Sequence, residues 1–160
     1  MTRDDLAKTF TGIGIELGVA AGLYSATILR NPAVYKLYSI DRWSDHHDER
    51  EYTKARNLLA TFGDRSVIVR SLFDDALDQF QNQTIDFIYV DSYAHTGQYG
   101  GQLLRDWYPK LKHGGIFSGH DYDPHYQPTI DAVDEFAGLN GLTISVTDEA
   151  VNPSWFAIKP

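Results

Sequence analysis

Four acidic residues and two imidazoles stand where they could do chemistry. Glu16, Asp41 and Asp91 each lie at the end of a short apolar run, and His120-Asp121 follow a fourth run, Ile116-Phe117-Ser118. His95 sits four residues beyond Asp91. After Glu16 the chain reads Leu17-Gly18-Val19-Ala20-Ala21-Gly22, and glycines at such a turn let a ligand approach bare backbone. A carboxylate beside that turn repels a pyrophosphate but pairs with an ammonium. The ligand that fits is a nucleoside with a cationic, amino-acid-like tail, as in S-adenosylmethionine. Asp41 could accept the two ribose hydroxyls, as an acid after the second strand does in dinucleotide folds. Imidazoles titrate near pH 6.5, which suits His95 to taking a hydroxyl proton.

The elements that must position these residues alternate along the chain. Apolar runs at Gly12–Leu17, Val34–Ile40, Val67–Val69, Ile85–Val90 and Ile116–Ser118 read as buried strands. Helix-like stretches separate them at about Leu23–Leu29, Glu49–Phe62, Phe73–Phe80 and Gln98–Leu111. A further helix over Pro128–Phe136 leads to two last strands, Leu142–Val146 and Trp155–Ile158, close enough to form an antiparallel hairpin. Strands joined by helical crossovers give a parallel α/β sheet covered on both faces, a doubly wound sheet of seven strands in one domain over residues 1–160. In such sheets ligands bind outside the carboxyl ends of the strands, where all of these polar residues fall.

Composition narrows the function. The chain has 22 acidic and 14 basic residues, a formal charge of -8, which disfavours nucleic acid and anionic membrane surfaces as partners. It has no cysteine, so disulfides, thiolate metal sites and thiol nucleophiles are excluded. The charged start, Met1-Thr2-Arg3-Asp4-Asp5, is unlike a signal peptide, and no apolar run approaches the roughly 20 residues of a membrane span. The expectation is a cytoplasmic protein acting on a small molecule.

A nicotinamide enzyme is the first competitor, because Asp41 would serve NAD equally well. Its Gly-x-Gly-x-x-Gly fingerprint is incomplete here: Leu17 stands where the third glycine is needed, and Gly12 and Gly14 lie inside the strand. A nucleoside-binding module without transfer activity, and a non-catalytic subunit of the same fold, are the other readings.

The run Glu16 to Gly22, Asp41, the strand end at Asp91, Gly114-Gly115 and the closing hairpin resemble a class I S-adenosylmethionine-dependent methyltransferase over nearly the whole chain. Tyr89-Val90-Asp91, His95, Gly114-Gly115-Ile116 and His120-Asp121-Tyr122 resemble its small-molecule branch, which includes macrolide-sugar O-methyltransferases. The resemblance implies a strand order of 3-2-1-4-5-7-6 with strand seven antiparallel. It implies that Glu16, Gly18, Val19, Gly22 and Asp91 meet the methionine tail and that Asp41 with Arg42 meets the ribose. Ser71 and Leu72 would lie near the adenine, with Trp43 packed beside it. His95 departs from the branch by one residue of spacing from Asp91.

In that sheet the ends of the fourth and fifth strands adjoin, so Asp91, His120 and Asp121 could hold Mg²⁺ or another divalent cation that binds and acidifies a substrate hydroxyl. His120 stands where metal-dependent relatives usually carry an acid, which favours an imidazole-tolerant ion such as Mn²⁺. His46 and His47 read as rim residues, and His125 and Tyr126 as lining the entrance. About eleven residues precede the first strand, too few for the substrate lid of related enzymes. That leaves an open site, a large substrate, or a lid from a second protomer in a homodimer.

Overall fold

A computed structural model describes residues 1–160. Its first element lies in the segment to which no structure was assigned. Helix α1 (Arg3–Thr9) is closed at its start by a capping box, in which the Thr2 and Asp5 side chains each bond the other's backbone N–H. Leu6 and Ala7 are buried on its inner face, and Phe10 follows it into the core. Then come β1 (Gly12–Leu17), α2 (Leu23–Leu29), β2 (Val34–Asp41), α3 (Glu49–Leu59), β3 (Ser66–Arg70), α4 (Phe73–Ala76) and β4 (Ile85–Val90). The second half contains α5 (Gly97–Gly100), α6 (Gln102–Trp107), β5 (Leu111–Gly119), α7 (Gln127–Asn140), β6 (Ser145–Val146) and β7 (Trp155–Ile158).

The seven strands form one sheet in the order β3-β2-β1-β4-β5-β7-β6. The first five pair in parallel and β7 runs antiparallel to both β5 and β6. Alternation along the strands feeds two apolar layers. In β4, Phe87 and Tyr89 face a cluster made with α1 and α2, while Ile88 and Val90 face a larger one made with α4, α6 and α7. Order, direction and class are those of the class I methyltransferase sheet.

Four expectations shift at their edges. The long helix over Gln98–Leu111 is right-handed only from Gln102, because residues 97–101 all have positive φ. Three of those five are glycines, which tolerate that conformation, and a side chain on Gly97 would strike the carbonyl of Pro128. The strand at Ile116–Ser118 is longer, from Leu111, because Gly114-Gly115 sit inside it and not in a turn before it. Leu142 is still part of the α7 cap: its N–H donates to the Ala137 carbonyl, with Gly141 left-handed between them, so β6 shortens to Ser145–Val146. Phe62 lies beyond the α-helical part of α3, in a tighter turn of 3-10 type.

Phe10 ties α1 to the sheet. Its ring is fully buried and stacks on Phe87 with centroids 4.3 Å apart. Phe10→Ala is expected to cost about 3–5 kcal/mol, as for other buried aromatic truncations, read as a lowered denaturant midpoint at unchanged slope. A loss under 1 kcal/mol would show that α1 is only loosely attached.

Candidate functional site

The carboxyl ends of β1, β2, β3 and β4 open on one cleft of about 490 Å³. Its centre is the loop after β1. Gly18 has φ +93, and a Cβ there would overlap the carbonyl oxygen of Asp91. Glycine is therefore required first by the neighbouring strand and only then by a ligand. Gly22, also left-handed, starts α2, and a Cβ there would crowd Ala55 of α3. Asp41, at the end of β2, holds the loop. One carboxylate oxygen accepts the N–H groups of Val19 (2.9 Å) and Ala20 (3.1 Å), and the other accepts that of Trp43 (3.2 Å). Those two loop amides are the donors a pyrophosphate would need, and they are already bound to a carboxylate.

Trp43 is not beside the cleft. Its left-handed backbone (φ 45) turns the indole under the loop, where it packs with Val19 and Ala55 and donates to the Ala20 carbonyl at 2.8 Å. The apolar end of the cleft is instead formed by Leu72, Phe73 and Tyr93, the last two in edge-to-face contact. Ser71 lies beside Leu72 and donates to its carbonyl. Arg42 lines the cleft with its guanidinium held by Asp45 at 2.9 Å. His46, His47 and Glu51 form that rim.

At the opposite end, Glu16 is 1% exposed. Burial pushes its carboxyl up to about 8, against the hydrogen bond that the Ser25 hydroxyl donates to it. Asp91 beside it is half-buried, with 27% of its side chain exposed. Burial disfavours its charge, but His120 and Arg3 outweigh that and hold it below the usual carboxylate range. Arg3 is the residue that sequence reasoning missed. Its Nη2 lies 2.6 Å from the Asp91 carboxylate, and its guanidinium rests 3.8 Å from the centre of the Tyr24 ring, with Tyr89 beside it. The only sequence signal was Thr2-x-x-Asp5 before an apolar run, a helix-start pattern.

His120 and Asp121 meet Asp91 as expected from adjoining strands: one ligand atom from each lies within 4.8 Å of the others. Burial disfavours a charged His120, yet hydrogen bonds to Asp121 (3.0 Å) and Asp91 raise it to about 9. The imidazole thus carries a proton at neutral pH, and a cation bound by these three residues must replace it. His95 is not part of this group. It is exposed at the mouth of the cleft, 4.9 Å from the ring of Tyr126 and near His125.

Residues 13–122 match a family model described as a methyltransferase domain. The chain belongs to this methyltransferase family. With its strand order, that makes it a class I, S-adenosylmethionine-dependent methyltransferase. None of the curated proteins compared matches it. Among solved structures, it is similar to an O-methyltransferase from Bacillus cereus in complex with SAH, at 15% identity and a TM-score of 0.75, covering 98% of this chain and 78% of that one. A precorrin-6y C5,15-methyltransferase from Geobacter metallireducens is similar at 15% identity and a TM-score of 0.73, covering 98% and 87%. A spermidine synthase from Thermotoga maritima also aligns, at 18% identity and a TM-score of 0.73, covering 99% and 58%. Identities this low show a shared fold, and the last of them shows that the fold also serves a synthase. No helix of the methyltransferase is long and apolar enough to cross a membrane.

The Glu16 carboxyl gives a test of the buried end. Its folded value of about 8 lies above the unfolded one of 4.5, so the folded chain holds the extra proton between them. This contribution to stability is complete below pH 4.5 and is lost as pH rises through 8. Glu16→Gln mimics the protonated form, and its stability relative to wild type is expected to rise steadily across that window in urea unfolding at stepped pH. A constant difference would mean that Glu16 is ionised throughout.

Proposed function

We propose that the methyltransferase moves the methyl group of S-adenosylmethionine to a hydroxyl oxygen of a small molecule. The observation that carries this reading is the charge of the cleft. Five carboxylates line it (Glu16, Asp41, Asp45, Glu51 and Asp91) against two guanidinium groups, both already paired with one of them. Such a lining suits a cationic sulfonium with an ammonium tail. It opposes the pyrophosphate of NAD, whose loop amides are also taken by Asp41.

The cleft's three sections fit the parts of that cofactor. Leu72, Phe73 and Tyr93, with Ser71 beside them, offer a base-sized apolar slot. Asp41 and Arg42 adjoin the loop where a ribose would lie, with Gly18 and Val19 forming its floor, whereas Gly22 faces α3 and does not line the cleft. Glu16 and Asp91 would take the ammonium, and a bound cation beside Glu16 would draw off its proton. S-adenosylmethionine supplies an activated methyl group on sulfur.

In the transfer the C–S bond breaks as the C–O bond forms, and sulfur leaves as a neutral thioether. The hydroxyl proton has to go elsewhere, and His95, exposed at the mouth, would receive it. His120, already protonated between two carboxylates, is not a base at neutral pH. Most of the acceleration would come from alignment, since an oriented pair of reactants saves much of the entropic barrier.

A second reading adds a divalent cation on Asp91, His120 and Asp121, favoured by the convergence of their ligand atoms. Oxygen and imidazole donors suit Mg²⁺ or Mn²⁺, which would lower the pKa of a bound substrate hydroxyl.

His95→Gln is expected to lower kcat about 10²-fold or more at neutral pH, with SAH binding unchanged in calorimetry. Unchanged turnover would remove His95 as the base. For the cation, turnover is compared before and after EDTA. Loss that Mg²⁺ or Mn²⁺ restores supports the metal, whereas equal rates leave Arg3 and the protonated His120 as the positive charges at this end.

A further inference from the structure

We infer that Arg3 anchors the carboxylate of the cofactor's amino-acid tail, so that helix α1 is a working part of the cofactor site. The inference rests on S-adenosylmethionine occupying the cleft as proposed above. Its tail is a zwitterion, and the groups at that end answer only half of it. Glu16 and Asp91 are acids, which suit the ammonium and repel the carboxylate. Arg42, the other guanidinium of the cleft, is bound to Asp45 next to the end of β2. Arg3 is the one cation of the lining that reaches the Glu16–Asp91 end.

Arg3 is also built into place. Its guanidinium is stacked on Tyr24, and one nitrogen is fixed by Asp91 at 2.6 Å. Its backbone is held from both sides: the carbonyl accepts the Tyr24 hydroxyl at 3.1 Å, and the N–H donates to Glu149 in the loop between β6 and β7. Asp91 uses one of the five guanidinium N–H donors. Nη1 donates to no group of the protein and is left to meet an acceptor in the cleft, while Nε is closed off without a partner. A carboxylate is the natural partner, because it matches the planar fork of donors. Holding it would also offset its repulsion from Glu16 and Asp91.

The test compares three ligands by calorimetry on wild type and Arg3→Ala. S-adenosylhomocysteine carries the whole tail, its decarboxylated analogue keeps only the ammonium, and 5′-methylthioadenosine has neither. Wild type is expected to prefer S-adenosylhomocysteine over the decarboxylated analogue. Arg3→Ala is expected to lose about 10- to 100-fold in affinity for the former, the scale of one charge-assisted pair. Its affinity for 5′-methylthioadenosine is expected to stay the same and that for the decarboxylated analogue to hold or rise, because a positive charge beside its ammonium is removed; Arg3→Lys is expected to recover part of the loss. A parallel fall for all three ligands would overturn the inference in favour of a purely structural Arg3, and so would an unchanged preference for the carboxylate. Failure of wild type to bind S-adenosylhomocysteine would instead overturn the cofactor reading itself.

Discussion

The ends of β1 and β4 approach so closely that residue 18 has no room for a side chain. Gly18 turns left-handed directly against the Asp91 carbonyl, while the Asp91 N–H donates to the Leu17 carbonyl at 2.8 Å. The cleft follows from that contact. With the loop forced out over the strand ends, its Val19 and Ala20 amides turn toward β2, where Asp41 satisfies them. Buried amides without a partner would cost about 1–3 kcal/mol each, so Asp41 is a strut of the loop before it is anything else. The same contact sets Asp91 beside Glu16, and two acids at close range in a confined space need a nearby positive charge. Arg3 and His120 provide it.

The resulting charge pattern distinguishes this cleft from a dinucleotide site more sharply than its glycines do. A glycine turn is common to both. In a dinucleotide site free amides at the loop face an anion. Here the amides are occupied and the lining is acidic. Burial outweighs the nearby Arg3 and keeps Glu16 protonated, which makes that end of the cleft responsive to a further positively charged ligand.

Much of this could be read from sequence, for physical reasons that also explain the misses. The strands over Gly12–Leu17, Val34–Asp41 and Ile85–Val90 are covered on both faces, so they appear as continuous apolar runs, and each has its acid near the carboxyl end where parallel sheets place ligands. The meeting of Asp91 with His120 and Asp121 followed from strand adjacency. What depended on tertiary placement was hidden. Helix α1 has seven residues, too short and too polar to announce itself, and the partner of Arg3 is 88 residues away. Trp43 was expected beside the adenine, but one positive φ sends the ring beneath the loop. The segment after Asp91 has helical composition, yet Gly97, Gly100 and Gly101 let it wind the other way before α6 begins.

The central claim is that one cofactor spans the cleft from Tyr93 to Arg3, and a crystal structure with S-adenosylhomocysteine tests it most directly. The expected density has the adenine against Leu72, Phe73 and Tyr93, the ribose at Asp41, and the tail between Glu16, Asp91 and Arg3. A cofactor bound in the opposite direction, or an empty cleft at saturating ligand, would contradict it.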